Sequence, residues 1–220
     1  MKPEAIVFDM YGTVANLDAV NNACVELVED PTQFGSLWRL KQLEYTFLLS
    51  MMGDYRDFWQ VTEAALQFTV DATGAQLTQG QQSSLMESWL RPEPFEDAVG
   101  CLKKLRGRYP LAILSNGGPR MLREGLKHAG LNSFFDEVLS VDEVKAFKPS
   151  PEVYDLAQQR LRVSKEKVFF VSSNSFDVVG SKKYGFHTCW IRRAVSPLDP
   201  LGQPPDHIVR NFEELARLVG

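Results

Sequence analysis

An aspartate follows a short apolar run near the beginning of the chain. The run Ala5–Phe8 leads into Asp9, and Tyr11-Gly12-Thr13 comes shortly after it. A carboxylate held in such a loop can act as a nucleophile or a metal ligand, and it can equally be an acceptor that only stabilises the loop. Taken alone, the pattern around Asp9 is compatible with a catalytic or a structural role.

Three later loops also carry polar residues that could take part in chemistry. These residues are Ser115 and Asn116, then Lys148 before Pro149, then Ser172, Asn174 and Asp177. The carboxyl ends of parallel strands meet at one edge of a sheet, so side chains that follow several strands are expected to converge there. This convergence favours an active site that contains Asp9.

Short apolar runs alternate with amphipathic stretches over most of the chain. The runs at 5–9, 111–114 and 168–171 predict buried strands, and weaker strands are predicted at 137–141, 187–191 and near Ile208. Helices are predicted at 95–106, 119–129, 151–161 and 177–184. Strands that alternate with helices of this length indicate an α/β fold, a doubly wound and Rossmann-like parallel sheet covered on both faces.

The segment 15–91 interrupts this alternation, because its apolar residues follow a helical period. Helices are predicted there at 22–28, 34–49, 57–68 and 81–90. A helical segment inserted after the first strand would lie over the carboxyl edge of the sheet, where ligands bind in such folds. The prediction is a core domain of residues 1–14 plus 92–220 and a helical cap, or lid, of residues 15–91.

The motifs and their order resemble those of the haloacid dehalogenase superfamily. The resemblance rests on Asp9-Met10-Tyr11-Gly12-Thr13, Ser115-Asn116-Gly117, Lys148-Pro149 and the acid at Asp177. Within the superfamily the chain is most similar to the L-2-haloacid dehalogenases, also in the segments Trp38–Tyr45 and Val171–Asp177. The resemblance implies that small (S)-2-haloalkanoic acids are hydrolysed to (R)-2-hydroxy acids through an aspartyl ester, with inversion.

The same resemblance implies a role for each polar residue of the motifs. Asp9 would attack the halogen-bearing C2, while Lys148 keeps it ionised and the Thr13 hydroxyl orients it. Water would then cleave the ester, positioned by Ser172, Asn174 and Asp177. Asp177 has a second possible role, which is to orient Lys148 only.

Further residues are expected to hold the substrate. Ser115 and the backbone amides around Met10, Tyr11 and Asn116 would bind the carboxylate, since a loop that runs into a helix N-terminus offers unpaired donors. Arg39 and Asn116 would cradle the departing halide. The expected apolar wall consists of Tyr11, Leu43, Phe58 and Phe176, and Tyr154 is assigned to the site as a supporting residue near Lys148. Phe176 and Leu40 stand where the family often has Trp and Gln.

The motifs lack the acids that phosphatases of this superfamily use to bind Mg²⁺. Tyr11 stands where those enzymes have a second Asp, and Ser172-Ser173 replaces the Gly-Asp of their fourth motif. A halide, unlike an alkoxide, leaves without a proton, so the missing acid is no handicap for dehalogenation. The prediction is an enzyme without metal or cofactor. A Mg²⁺-dependent phosphatase and a catalytically inactive binding relative are the alternatives.

Composition restricts the partners and the location. Lys and Arg total 24 against 28 Asp and Glu, a formal net charge of -4, and no basic run could follow a nucleic-acid backbone. No apolar run approaches the roughly 18 residues of a transmembrane helix, and no export signal is evident, so a cytoplasmic protein is expected. The expected partners are a small 2-haloacid and a second copy of the chain, because family members often form homodimers. Neither nucleic acid nor a membrane is expected.

Overall fold

Six parallel strands form one sheet in the computed structural model, which describes residues 2–193 and 197–220. The strands are β1 (Ala5–Phe8), β2 (Leu111–Ser115), β3 (Glu137–Ser140), β4 (Val168–Ser172), β5 (His187–Ile191) and β6 (His207–Val209). Their spatial order is β3-β2-β1-β4-β5-β6. Ile6 of β1, for example, pairs with Leu111 on one side and Phe169 on the other. The predicted α/β, doubly wound parallel sheet is confirmed.

The central strands are apolar because both faces of the sheet are covered. Every residue of β1, β2 and β4 is buried. Continuous apolar runs of this kind are typical of parallel strands with helices on both sides. The edge strand β6 is different, since Ile208 is exposed. Burial on both faces therefore explains why β1, β2 and β4 gave the clearest strand signals.

Five α-helices accompany the strands after β1 in the part of the chain that the structure describes. They are α5 (Glu96–Leu105), α6 (Pro119–His128), α7 (Pro151–Leu161), α8 (Ser175–Tyr184) and α9 (Phe212–Val219). The helix α9 was not among the predicted helices, although Asn211 caps it and Phe212, Leu215 and Val219 form its buried face. The helix α8 begins at Ser175 and not at the predicted Asp177, because Asn174 is its N-cap residue.

Four helices lie in the inserted segment between β1 and α5. They are α1 (Asp18–Val25), α2 (Pro31–Met52), α3 (Phe58–Thr73) and α4 (Gln79–Ser88). The bounds of all four helices differ from the predicted ones, and α3 continues to Thr73 where the prediction ended it at residue 68. The start of α2 is set by Asp30, whose side chain accepts from the Gln33 amide, and its end by Gly53 with a φ of 67°. Polar caps lie outside the apolar periodicity, so the pattern alone misplaced these ends.

The strand order places a binding crevice beside β1. From β1 the chain proceeds to β2 and β3 on one side, and then to β4, β5 and β6 on the other. In open α/β sheets, ligands bind beyond the carboxyl ends of the strands where the strand order reverses, which here is the gap between β1 and β4. Among the described residues, no helix is long and apolar enough to cross a membrane.

Candidate active site

Asp9 follows β1 at this crevice and is held on both carboxylate oxygens. Its Oδ2 accepts from Thr13 Oγ1 at 2.9 Å and from Asn174 Nδ2 at 2.8 Å. Its Oδ1 faces the Lys148 ammonium at 3.3 Å. The side chain is buried, yet it lines a cavity. A buried carboxylate held by a cation and two hydrogen-bond donors keeps one orientation, as a nucleophile requires.

Lys148 lies between two carboxylates, and only 1% of its surface is exposed. Its Nζ is 2.8 Å from Asp177 Oδ2, on the side away from the Asp9 contact. Burial alone would lower the pKa of Lys148, but the charges of Asp177 and Asp9 outweigh it and the pKa is raised above its ordinary value. The ammonium therefore remains charged at neutral pH and balances part of the buried negative charge.

Asp177 is completely buried in the first turn of α8, behind Lys148. Its Oδ1 accepts a hydrogen bond of 2.9 Å from Tyr154 OH. Burial raises the pKa of Asp177 to about 6, against the opposing effects of Lys148 and of the Tyr154 hydrogen bond. The carboxylate contacts Lys148 and not the cavity, an arrangement that suits orientation of the lysine.

Ser173 connects the loop after β4 to the loop that carries Asp9. Its backbone amide donates to Thr13 Oγ1 at 2.9 Å, and its hydroxyl donates to the carbonyl of Gly12 at 2.6 Å. Trp190 in turn donates to the Ser173 carbonyl at 3.1 Å. Sequence reasoning did not assign Ser173 to the site, because its decisive contact is made by a backbone amide that any residue could supply.

Asn116 has a defined amide orientation at the end of β2. Its Oδ1 accepts from the backbone amide of Lys148 at 3.0 Å, so its NH₂ group is the part left to donate into the cavity. The neighbouring Ser115 hydroxyl accepts from the Gly117 amide at 3.1 Å, and its own hydrogen can still donate. Two donors thus point to the same cavity from this loop, which suits an anionic ligand.

Arg39 enters the cavity from α2 of the inserted segment. Gln42, one helical turn later, accepts a hydrogen bond from its guanidinium, and the Trp89 ring lies 5.8 Å from its central carbon. Burial lowers the pKa of Arg39 to about 10, and the negative charge of Asp9 acts in the opposite direction. Arg39 therefore carries a positive charge in a desolvated place, where attraction to an anion is strong.

Most of the predicted site residues surround one enclosed cavity. Its lining comprises Asp9, Tyr11, Arg39, Leu43, Phe58, Ser115, Asn116, Lys148, Asn174 and Phe176. The free space within it is about 10 Å³, about what one water molecule requires. Its lining combines carboxylate, ammonium, guanidinium and amide groups with the apolar surface of Leu43, Phe58 and Phe176. The arrangement is able to displace a leaving group in the absence of bulk water.

Five predicted residues do not line this cavity. They are Met10, Thr13, Tyr154, Ser172 and Asp177. Thr13 and Asp177 act on Asp9 and Lys148 from behind, as described above. The Ser172 hydroxyl accepts a hydrogen bond of 3.1 Å from the backbone amide of Asn174, and the Met10 side chain packs beside Gly125. Tyr154 contacts Asp177, so the structure places it behind the site and away from a bound substrate.

The donor set of this site does not fit Mg²⁺. Only Asp9 and Asp177 supply carboxylates, and the Lys148 ammonium already lies between them. Tyr11 stands where the phosphatases of the superfamily have a second Asp, and its hydroxyl donates to the carbonyl of Trp89 at 3.2 Å. Within the part of the chain that the structure describes, no three His, Cys, Asp or Glu side chains are grouped to hold a metal ion. Mg²⁺ requires several oxygen ligands with little competing positive charge.

Replacing Tyr154 with Phe is expected to move the acid limb of the activity profile to higher pH. The Tyr154 hydrogen bond stabilises the ionised form of Asp177, so its loss raises the pKa of Asp177 further above about 6. If turnover needs that carboxylate ionised, activity falls as pH drops through this pKa. We expect a shift of about one pH unit, the equivalent of one hydrogen bond to a charged group. The measurement is kcat from pH 4.5 to 9.

Tyr184→Phe is the matched control for this experiment. Tyr184 packs against the ring of Tyr154, but its hydroxyl donates to Asp155 and does not reach Asp177. Its removal should leave the acid limb in place. An unchanged limb in Tyr154→Phe, or an equal shift in the control, would show that Asp177 is not the titrating group.

The chain matches a family of known hydrolases over most of its length. Residues 3–185 fit the profile of the haloacid dehalogenase-like hydrolases. The (S)-2-haloacid dehalogenase of Pseudomonas sp. strain YL is 41% identical, in a match that covers 98% of this chain and 94% of that protein. The (S)-2-haloacid dehalogenase 2 of Pseudomonas sp. strain CBS-3 is 39% identical, with 97% and 94% covered.

A solved structure matches the fold described above. It is the L-2-haloacid dehalogenase of Xanthobacter autotrophicus with chloropropionic acid covalently bound. The TM-score is 0.92 at 35% sequence identity, and the match covers 100% of this chain and 98% of that one. The similarity extends over the inserted helices as well as the sheet.

Proposed function

The chain belongs to the haloacid dehalogenase-like hydrolase family, and on this basis we propose that it hydrolyses small (S)-2-haloalkanoic acids to (R)-2-hydroxy acids. The observation that carries this proposal is the Asp9 carboxyl group, which contacts the Lys148 ammonium and lines a cavity that Arg39 and Asn116 also line. A carboxylate nucleophile needs an electrophilic carbon, and the cationic side chain needs a developing anion. A 2-haloacid supplies both. The enzyme is a hydrolase that acts on carbon–halide bonds.

The first step forms an ester between Asp9 and the substrate. Oδ1 of Asp9 is the attacking atom, because Oδ2 already accepts two hydrogen bonds whereas Oδ1 has only the longer Lys148 contact. Oδ1 bonds to C2 from the side opposite the halogen, the carbon–halogen bond breaks, and the halide leaves with the electron pair. Backside attack inverts C2. Arg39 and the Asn116 amide stabilise the negative charge that develops on the halogen.

The second step regenerates Asp9. Water attacks the carbonyl carbon of the ester, and the bond from that carbon to Oδ1 breaks. Oδ1 leaves as the hydroxyl oxygen of the hydroxy acid, and the water oxygen replaces it in Asp9. One water proton goes to the product hydroxyl and the other to solvent, so each turnover releases one halide and one proton. Asn174 lines the cavity and can position the water. Asp177 contacts Lys148 directly, which supports a positioning role through the lysine.

The inserted helices would act as a lid over this site. Free space of about 10 Å³ is too small for a haloacid, so substrate entry requires the helical segment 15–91 to move relative to the core of residues 1–14 and 92–220. Such a closure excludes water from the first step, when the carboxylate must attack carbon in competition with its own hydration. Arg39 is carried by the inserted segment, so closure would also complete the halide site.

Halide release from racemic 2-chloropropionate tests the proposal. With EDTA present, we expect chloride equal to half of the racemate, residual (R)-2-chloropropionate and (R)-lactate as the product. Ion chromatography and chiral chromatography measure these three species. Release of chloride from both enantiomers, or a product of retained configuration, would contradict the mechanism. No chloride, together with Mg²⁺-dependent hydrolysis of p-nitrophenyl phosphate, would identify a phosphatase.

We further propose that the enzyme is cytoplasmic and that it forms a homodimer. The three cysteines, Cys24, Cys101 and Cys189, are buried free thiols, which suits a reducing compartment. The oligomeric state is measured by light scattering of the purified protein across a range of concentrations.

A further inference from the structure

A solvent-open groove lies on the far side of Phe176 from the catalytic cavity. It is bounded by the end of α2, the loop 147–151 and α8. Apolar side chains form most of its lining, among them Phe47, Met51, Phe147 and Val179. Its free space is about 1010 Å³, compared with about 10 Å³ in the catalytic cavity. The groove therefore has room for a chain of several carbons that the cavity lacks.

Phe176 separates these two spaces. Of the residues that line them, only Phe176 and Lys148 line both. The Phe176 ring meets Phe47 of α2 edge-to-face, with 5.5 Å between the ring centroids. This contact joins the inserted helices to the core at the boundary between cavity and groove. Both rings are only half-buried, so rotation of Phe176 would connect the two spaces without disturbing the sheet.

The chemistry of the groove fits the chain of an alkanoate. Lys165 and Lys183 stand among the lining residues, and no carboxylate does. The lysines would not contact the charged end of a bound haloacid, but their positive charge attracts anions to this face of the protein. The apolar lining is what fits the uncharged alkyl chain. A 2-haloalkanoate with its C2 at Asp9 would place its remaining carbons along the apolar wall that includes Phe176.

We propose that this groove is a subsite for the alkyl chain of longer 2-haloalkanoates, and that Phe176 with Phe47 closes it. The proposal rests on the function proposed above. In the native protein, substrates of two or three carbons need only the space that the cavity gains when the inserted helices move, and they react with Phe176 against Phe47. Longer substrates must displace the Phe176 ring from Phe47, and they react more slowly for that reason.

Phe176→Ala is expected to open the subsite. The ratio of kcat/KM for 2-bromohexanoate to that for 2-bromopropionate should rise by about tenfold or more, since each additional buried methylene contributes to discrimination. Hexanoate, which has no halogen, should become a stronger competitive inhibitor of 2-bromopropionate hydrolysis by at least a similar factor. The first quantity is a ratio within one protein preparation and the second is an inhibition constant, so neither depends on the amount of active enzyme.

Two further variants distinguish the groove from a general enlargement of the site. Leu43→Ala widens the cavity, but Leu43 does not line the groove, so the ratio should stay within about threefold of the native value. In the double variant Phe176→Ala/Val179→Trp, the indole refills the groove without entering the cavity. That variant should return the ratio to the native value, and thermal melting confirms that each variant is folded.

The outcomes separate the subsite from the proposed function. If the native enzyme releases no bromide from 2-bromopropionate, the proposed function itself fails. If it does release bromide and Phe176→Ala leaves the ratio unchanged, the groove is not a chain subsite and is free for another occupant, such as a second copy of the chain. An equal gain in Leu43→Ala, or no reversal in the double variant, also overturns the proposal.

Discussion

Asp9→Asn is expected to abolish halide release, with a fall in kcat of about 10⁴-fold or more, the scale seen when a nucleophile is removed from a group of residues that act together. The amide has nearly the same shape as the carboxylate and can still accept from Thr13 and face Lys148. It carries no negative charge with which to attack carbon. The measurement is bromide release from (S)-2-bromopropionate by freshly purified variant.

Substrate binding provides the control for this variant. The residues that surround Asp9 remain, so (S)-2-chloropropionate should still raise the melting temperature of Asp9→Asn. A second check uses water labelled with ¹⁸O, because ester hydrolysis at the Asp9 carbonyl carbon places one solvent oxygen in that side chain. After many native turnovers, the peptide that contains Asp9 should be heavier in mass spectrometry. Unlabelled Asp9 alongside labelled hydroxy acid would indicate direct attack of water on C2 and no ester.

Lys148→Met should remove activity and also change how stability depends on pH. The substitution leaves Asp9 and Asp177 buried near each other without the cation that lies between them. Removing one partner of a buried ion pair costs about 3–5 kcal/mol in the free energy of unfolding. We expect that loss at pH 8 in urea titrations, together with a fall in kcat of at least about 10²-fold.

The sign of the pH effect follows from the two remaining carboxyls. Without Lys148, burial and mutual repulsion raise the pKa of at least one of them above its value in the unfolded chain. A carboxyl with a raised folded-state pKa favours the native state below its unfolded pKa, and that contribution is lost as pH rises through the folded value. The free energy of unfolding of Lys148→Met should therefore fall short of the native value by less at pH 5 than at pH 8.

Lys182→Met is the matched control for this prediction. Lys182 pairs with Asp206, but it is partly exposed and does not line the cavity beside Asp9. A partly exposed pair contributes about 1 kcal/mol or less. Equal destabilisation of both variants, or a deficit for Lys148→Met that grows at acid pH, would mean that Lys148 does not balance two buried carboxylates.

Local patterns in the sequence were sufficient for the sheet and for most of the site. Asp9 directly follows β1, Ser115 ends β2 and Asn174 comes two residues after β4, and the burial of these three strands makes them recognisable as apolar runs. The resemblance of the motifs to a known family then assigned roles to those residues. Helix ends were less predictable, because Asp30, Asp57 and Thr78 set them through capping contacts that no apolar period records.

Tertiary structure alone decided how these residues act on one another. The contact from Lys148 to Asp9 spans 139 positions and that from Ser173 to Thr13 spans 160, distances over which a sequence pattern carries no geometry. The structure also placed Tyr154 behind Asp177 and turned the Asn116 amide so that its NH₂ group faces the cavity.

The sequence by itself thus determined the fold and predicted which residues gather around Asp9, because strand ends and their loops are local features. Only the tertiary structure determined that one ammonium lies between two buried acids, and that Phe176 divides a cavity the size of one water from a large apolar groove. Both features depend on the packing of helices and loops that are remote in the chain, and such packing is settled only when the whole molecule folds.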